Sequence, residues 1–173
     1  MKKKIIICLF VIITLLSTGC VKKKGEIKKN NNGGSNTSQE VKENQLIING
    51  YDLTLSEPGS FEKLSFKYPE NTTVSSLITT MTLIHNKKGS DQPLFKVGMF
   101  TMYGTSLDKA MEGFTKTGEK TYNGVTWSIY SKDGNYSYAM NSEYDVYVIG
   151  FIYDDDALKQ FEEEFMKTVT LNK

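Results

Sequence analysis

The chain has 173 residues, 39% apolar and 24% charged, with a formal net charge of +1. That suits one globular domain and is short for two large ones. There is no Arg, one His (His85) and two Cys, Cys8 and Cys20, both before residue 21. This disfavours nucleic-acid binding, which wants a basic face and forked Arg donors, and it leaves the rest of the chain no disulfide framework, Cys/His zinc site or Cys nucleophile.

The near-zero charge is the sum of unlike segments. Residues 1–4 carry three Lys, residues 21–45 six Lys against three Glu, and residues 46–173 twelve Lys against 17 Asp and Glu. Lys2, Lys3 and Lys4 precede Ile5–Leu16, a run of 12 mostly apolar residues. At about 1.5 Å per helical residue that run spans roughly 18 Å, short of the ~30 Å hydrocarbon core. It reads as the hydrophobic region of a signal peptide, and Cys8 is discarded with it. The sequel, Leu16-Ser17-Thr18-Gly19-Cys20, resembles the lipobox of bacterial lipoproteins. The resemblance implies removal of residues 1–19 and a diacylglyceryl thioether on Cys20. It also implies residence on the extracytoplasmic face of the cell membrane, because two acyl chains anchor durably where one does not. An ordinary secreted protein with an incidental Cys20 and a transmembrane anchor are the alternatives.

Residues 20–45 then read as the lipidated Cys and a tether. Between 21 and 45 only Val21, Ile27 and Val41 are sizeable apolar residues, and Asn30–Asn36 is Asn, Gly and Ser. Such a segment cannot offset its ordering entropy, so it is expected to be disordered, with a root-mean-square reach of about 25–30 Å. Lys22, Lys23, Lys24, Lys28 and Lys29 lie nearest Cys20. They suit an anionic leaflet or simply a solvated spacer.

From residue 46 period-two alternation takes over. Leu46–Ile48, Tyr51–Leu55 and Leu64–Tyr68 read as strands, with Asn49-Gly50 a hairpin turn and Glu57-Pro58-Gly59 a break. Val74–His85 reads as strand in one or two pieces, Asn86–Pro93 as loop and Leu94–Tyr103 as strand. Leu107, Ala110, Met111 and Phe114 stand at i, i+3, i+4 and i+7 and predict a helix capped by Ser106 or Thr105 and stopped by Gly118. Val125–Lys132, Asn135–Asn141 and Val146–Tyr153 form a meander punctuated by Asn123-Gly124 and Asp133-Gly134. VYVIGFIY, apolar on both faces, belongs in the centre of a sheet covered on both sides. Asp154–Asp156 start a second helix with Leu158, Phe161 and Phe165 inward and Lys159–Glu163 and Glu163–Lys167 pairs outside. The expectation is one α+β domain over 46–173, an antiparallel sheet with two helices.

Phe66-Lys67-Tyr68-Pro69, the mid-chain helix near Ser106, Asn123-Gly124-Val125-Thr126-Trp127 and a terminal helix centred on Phe161–Phe165 together resemble PsbP-like and Mog1-like domains. That resemblance, spread over 46–173, implies a module that binds other macromolecules and supplies no active-site motif. A cystatin- or NTF2-like curved sheet is the alternative fold.

The candidate chemistry is sparse. His85, without a G-x-S-x-G elbow, reads as an exposed strand-end histidine. Asp154, Asp155 and Asp156 read as helix-start caps, or as a weak cation site with no EF-hand spacing. Glu162, Glu163 and Glu164 diverge by about 100° each and read as a solvated helix face. The scattered glycines form no phosphate loop. The aromatics of the meander, above all Trp127, Tyr130, Tyr136 and Tyr138, are either a sheet packed under helices or an exposed binding patch. The expected function is a lipid-anchored, non-catalytic binding or accessory module for a cell-surface protein partner, with no cofactor, no metal site and no nucleic acid. A small-molecule or metal-ion-binding lipoprotein is the alternative.

Overall fold

The computed structural model describes residues 45–143, 145–153 and 155–172. The expected signal peptide, Cys20 and all of the tether but Gln45 lie outside the described residues.

The described part is mostly antiparallel sheet with two short helices, broadly α+β. In chain order it begins with β1 (Ile47–Ile48), β2 (Tyr51–Asp52), β3 (Leu55–Phe61) and β4 (Leu64–Pro69). Next come β5 (Thr72–Leu77), β6 (Thr80–Asn86), β7 (Pro93–Tyr103) and the single-turn helix α1 (Leu107–Ala110). The meander is β8 (Thr115–Tyr122), β9 (Val125–Lys132), β10 (Asn135–Asn141) and β11 (Asp145–Tyr153). A 3-10 turn at Asp156–Leu158 leads into α2 (Lys159–Thr168), and β12 (Thr170–Leu171) closes the chain.

Seven strands form the main sheet in the order β5-β6-β7-β11-β10-β9-β8, and β12-β4-β3 form a second, smaller one. β11 is the middle strand, as its unbroken apolar run requires: Tyr147, Ile149 and Phe151 enter the larger core, Val146 and Val148 the smaller one. The larger core lies where α2 packs between the two sheets, with Leu158, Phe161, Phe165 and Met166 buried. On the other face of the main sheet, Ala110 and Met111 of the α1 segment cover Tyr130, Ala139, Val146 and Val148, with Leu107 and Phe114 alongside.

The turn chemistry is local and behaves as read. Asn49-Gly50, Asn123-Gly124 and Asp133-Gly134 all have positive φ at both residues, the type I′ pattern whose twist matches a hairpin. Asn123 does more: its Nδ2 donates to the carbonyl oxygens of Lys167 and Val169 at 2.8 Å each, closing the C-terminal end of α2. Ser106 Oγ accepts from Lys109 N, confirming it as the cap of α1.

Three expectations are corrected. Glu57-Pro58-Gly59 does not break the chain but lies inside β3. β3 is an edge strand, where a Pro without an N–H is tolerated. Gly59 is required there, because a Cβ would stand 2.4 Å from Cε2 of the buried Phe66 ring. The mid-chain helix ends at Ala110 rather than near Gly118, which sits instead at a register shift in β8. β8 has one buried residue in eight, so no alternation announces it; its backbone hydrogen bonds to β9 make it a strand. Finally, the outer ion pairs of α2 differ: Glu163 pairs with Lys120 of β8, Lys167 with Glu164, and Lys159 with Asp156. Exposed partners of this kind are nearly isoenergetic.

Candidate functional site

The β5–β6 hairpin carries the features that packing does not explain. From Asn71 through Asn86 the chain has no Lys, Arg, Asp or Glu. At the tip, Leu77 is 72% and Ile78 88% exposed. Large apolar side chains at such exposure, together and next to an edge strand, mark a contact surface more often than single scattered ones do.

At the base of the same hairpin is a cleft of about 600 Å³, lined by Tyr51, Asp52, Glu70, Asn71, His85, Asn86 and Lys88 among others. His85 corrects the expectation of an exposed histidine: it is only 9% exposed. It follows Met81 and Leu83 on the core-facing side of β6, and its ring stacks on Phe95 with centroids 5.3 Å apart and planes at 7°. Nδ1 lies 3.1 Å from Thr72 Oγ1. Burial lowers the imidazole pKa below its ordinary value, favouring the uncharged ring. Beside it, Asn86 Oδ1 is buried with no hydrogen-bond partner among the described residues. Asp52 is committed locally, its Oδ1 accepting from Thr54 N at 3.1 Å and Thr54 Oγ1 at 2.6 Å. Among the described residues no three His, Cys, Asp or Glu side chains come together as a metal site would need.

The four aromatics singled out in the meander are not one exposed surface, and this corrects the patch reading. Trp127 is 0% exposed and Tyr138 is buried beside it in the larger core. Tyr130 points to the opposite face and is buried in the smaller core. Tyr136 is half-buried, with Lys159 Nζ 5.8 Å from its ring centroid. The strands that carry them lie inside the sheet, flanked on both sides, so alternation sends Trp127 and Tyr138 into one core and Tyr130 into the other.

Glu162 is the polar residue that sequence reasoning misplaced. It is not on a solvated face: it is 8% exposed and accepts hydrogen bonds from Tyr138 Oη at 2.7 Å and Tyr153 Oη at 2.8 Å. The signal was present, since Glu162 is four residues after Leu158 and so falls on the inward stripe of Leu158, Phe161 and Phe165. Burial and then the Glu162 carboxylate push both phenols well above the ordinary tyrosine pKa. Each phenol is thereby kept protonated as a donor, and the triad ties α2 to β10 and β11. Of the expected acidic helix start, Asp155 Oδ1 accepts from Ala157 N at 2.9 Å and Oδ2 from Asn49 Nδ2 at 2.6 Å; Asp154 lies outside the described residues. Among the described residues no helix is long and apolar enough to cross a membrane. No protein-family model matches the chain, and neither does any curated protein or solved structure.

Proposed function

We propose that the chain is a lipid-anchored extracytoplasmic protein, held through Cys20, whose domain at 46–173 is a non-catalytic binding or accessory module for a protein partner at the cell surface. The observation that carries this reading is the uncharged β5–β6 hairpin with Leu77 and Ile78 projecting from its tip. The anchor is supported by Lys2–Lys4, the apolar run to Leu16 and the Leu16–Cys20 sequence. A PsbP-like or Mog1-like fold belongs to the same proposal. It is supported by Phe66-Lys67-Tyr68-Pro69 ending β4, the Ser106-capped helix, the Asn123-Gly124 turn opening β9 and the terminal α2.

Short-range crosslinking on intact cells, followed by recovery of the chain and mass spectrometry, tests it. The expected result is a specific partner whose yield falls at least about tenfold in the Leu77→Ser, Ile78→Ser double variant, as for loss of a central apolar anchor. Equal recovery with the variant, or no partner with the unsubstituted chain, would sink the reading.

The cleft at His85 favours a second reading, a small polar ligand held at the base of the hairpin. Thermal unfolding against a panel of small zwitterions and sugars checks it. A true ligand at 100 times its dissociation constant adds about 2.7 kcal/mol, whereas an unmoved midpoint across the panel removes this reading.

A further inference from the structure

The free edges of the two larger sheets are not alike. β8, at one end of the main sheet, carries Lys116, Glu119 and Lys120 and a register shift between Lys116 and Gly118. β3, at the edge of the small sheet, carries Pro58 and a register shift between Leu55 and Glu57. The opposite edge of that sheet, β12, is only two residues long. Charge, Pro, bulge and shortness are the devices by which proteins keep an edge from pairing with another chain. β5 has none of them. Its six residues, TTVSSL, run in unbroken register with β6 and are exposed at every position after Thr72. Val74 is 42% exposed although it lies directly opposite the fully buried Leu83.

We infer that β5 pairs antiparallel with β5 of a second copy of this chain, about a twofold axis at Val74. Three observations select a second copy as the occupant. A strand related to its own copy by a twofold meets its own kinds of charge, and β5 has no charge to repel. Among the described residues only one edge of the main sheet is open, β8 being guarded, so pairing closes at two copies instead of propagating, as an isologous contact must. Side chains opposite each other in an antiparallel pair share a face. A centre at Val74 therefore sets Val74 against Val74, Thr73 against Ser75, and Thr72 against Ser76. Val74 is on the core-facing side, opposite Leu83, so this register continues the row Leu83–Val74 into the second copy. β-Branched pairs of this kind stabilise sheets. The result is a continuous 14-stranded sheet, twice the seven strands of one copy, with Ile78 left in the turn beyond the paired segment.

The inference goes beyond the proposed function and does not depend on the anchor. Its test is cysteine crosslinking in the full-length chain. Cα atoms directly opposite in an antiparallel pair are about 4.5–5.5 Å apart, inside the range a disulfide spans. Val74→Cys treated with copper–phenanthroline should give a thiol-reversible species of twice the chain mass as the main product. Leu77→Cys should stay uncrosslinked, because its copy lies six positions away along the strands, about 20 Å. The unsubstituted chain should also stay uncrosslinked, which controls for Cys8 and Cys20. Val74→Lys, with two ammonium groups brought together, should abolish the dimer seen by amine-independent photo-crosslinking while leaving the circular dichroism unchanged. No dimer from Val74→Cys, equal yields at positions 74 and 77, or a disulfide to a protein of another mass would each overturn the pairing.

Discussion

Replacing Phe165 by Ala is expected to remove about 3–5 kcal/mol of unfolding free energy. Its side chain joins α2 to both sheets. Its ring centroid lies 5.7 Å from Phe66 of the small sheet, 5.6 Å from Phe151 of the main sheet and 6.0 Å from Phe161 on its own helix. The contact with Phe151 is edge-on, at 81° between planes, the arrangement that aligns the positive ring edge with a negative face. Truncation therefore costs the transfer of the ring and leaves a cavity bounded by three elements that cannot all collapse into it. Urea unfolding reads the effect as a lowered midpoint at unchanged slope. Phe165→Leu, which keeps most of the volume, should cost less than about 1.5 kcal/mol. A loss below about 1 kcal/mol for Phe165→Ala would show that the small sheet is held by something other than this aromatic junction.

The second large effect concerns Glu162. Glu162→Ala should cost about 2–4 kcal/mol, because two phenolic hydroxyls lose a charged acceptor and the Tyr138 hydroxyl is left buried. Glu162→Gln keeps one carbonyl acceptor and should lose roughly half as much. The same triad sets an alkaline limit. Tyr138 and Tyr153 are both held protonated above the ordinary tyrosine pKa, first by burial and then by the Glu162 carboxylate. Below about pH 10 their hydroxyls are protonated in the folded and unfolded chain alike, and their contribution is complete. Above that, the unfolded chain releases protons that the folded chain retains, so stability falls as pH rises. The double variant Tyr138→Phe, Tyr153→Phe should be less stable at pH 7 and show a flatter decline between pH 10 and 12. An unchanged alkaline slope in that variant would mean that other groups set it.

These two residues illustrate how unevenly the fold was legible. Phe165 and its inward stripe could be read from spacing alone, because a period of 3.6 is a property of contiguous residues. Glu162 obeyed the same period, yet its charge argued for solvent, and only the arrival of two tyrosines from β10 and β11 makes its burial tolerable. His85 is the same case on a strand. Alternation from Met81 and Leu83 places it inward, and stacking on Phe95 with a hydroxyl from Thr72 lets it stay there. The β5–β6 hairpin tip was hidden for the opposite reason. Val74–His85, rich in Thr, Val and Ile, reads as strand in one or two pieces, and nothing local says that Leu77 and Ile78 fall at a turn that no element among the described residues covers.

By itself, then, the sequence determined what short-range physics controls in this protein. The type I′ turns follow from Asn-Gly and Asp-Gly, the central place of β11 from an apolar run on both faces, and the buried stripe of α2 from helical spacing. The cap of α1 follows from a hydroxyl before an apolar periodicity. Only the tertiary structure decided which polar strands exist and which polar groups go inside. β3 and β8 are edge strands made by hydrogen bonds to a neighbouring strand, so their own side chains need show no pattern. The fates of Trp127, Tyr138, Glu162 and His85 depend on partners up to dozens of residues away, because burial of a polar group is permitted by the groups that meet it and not by its own neighbours in the chain.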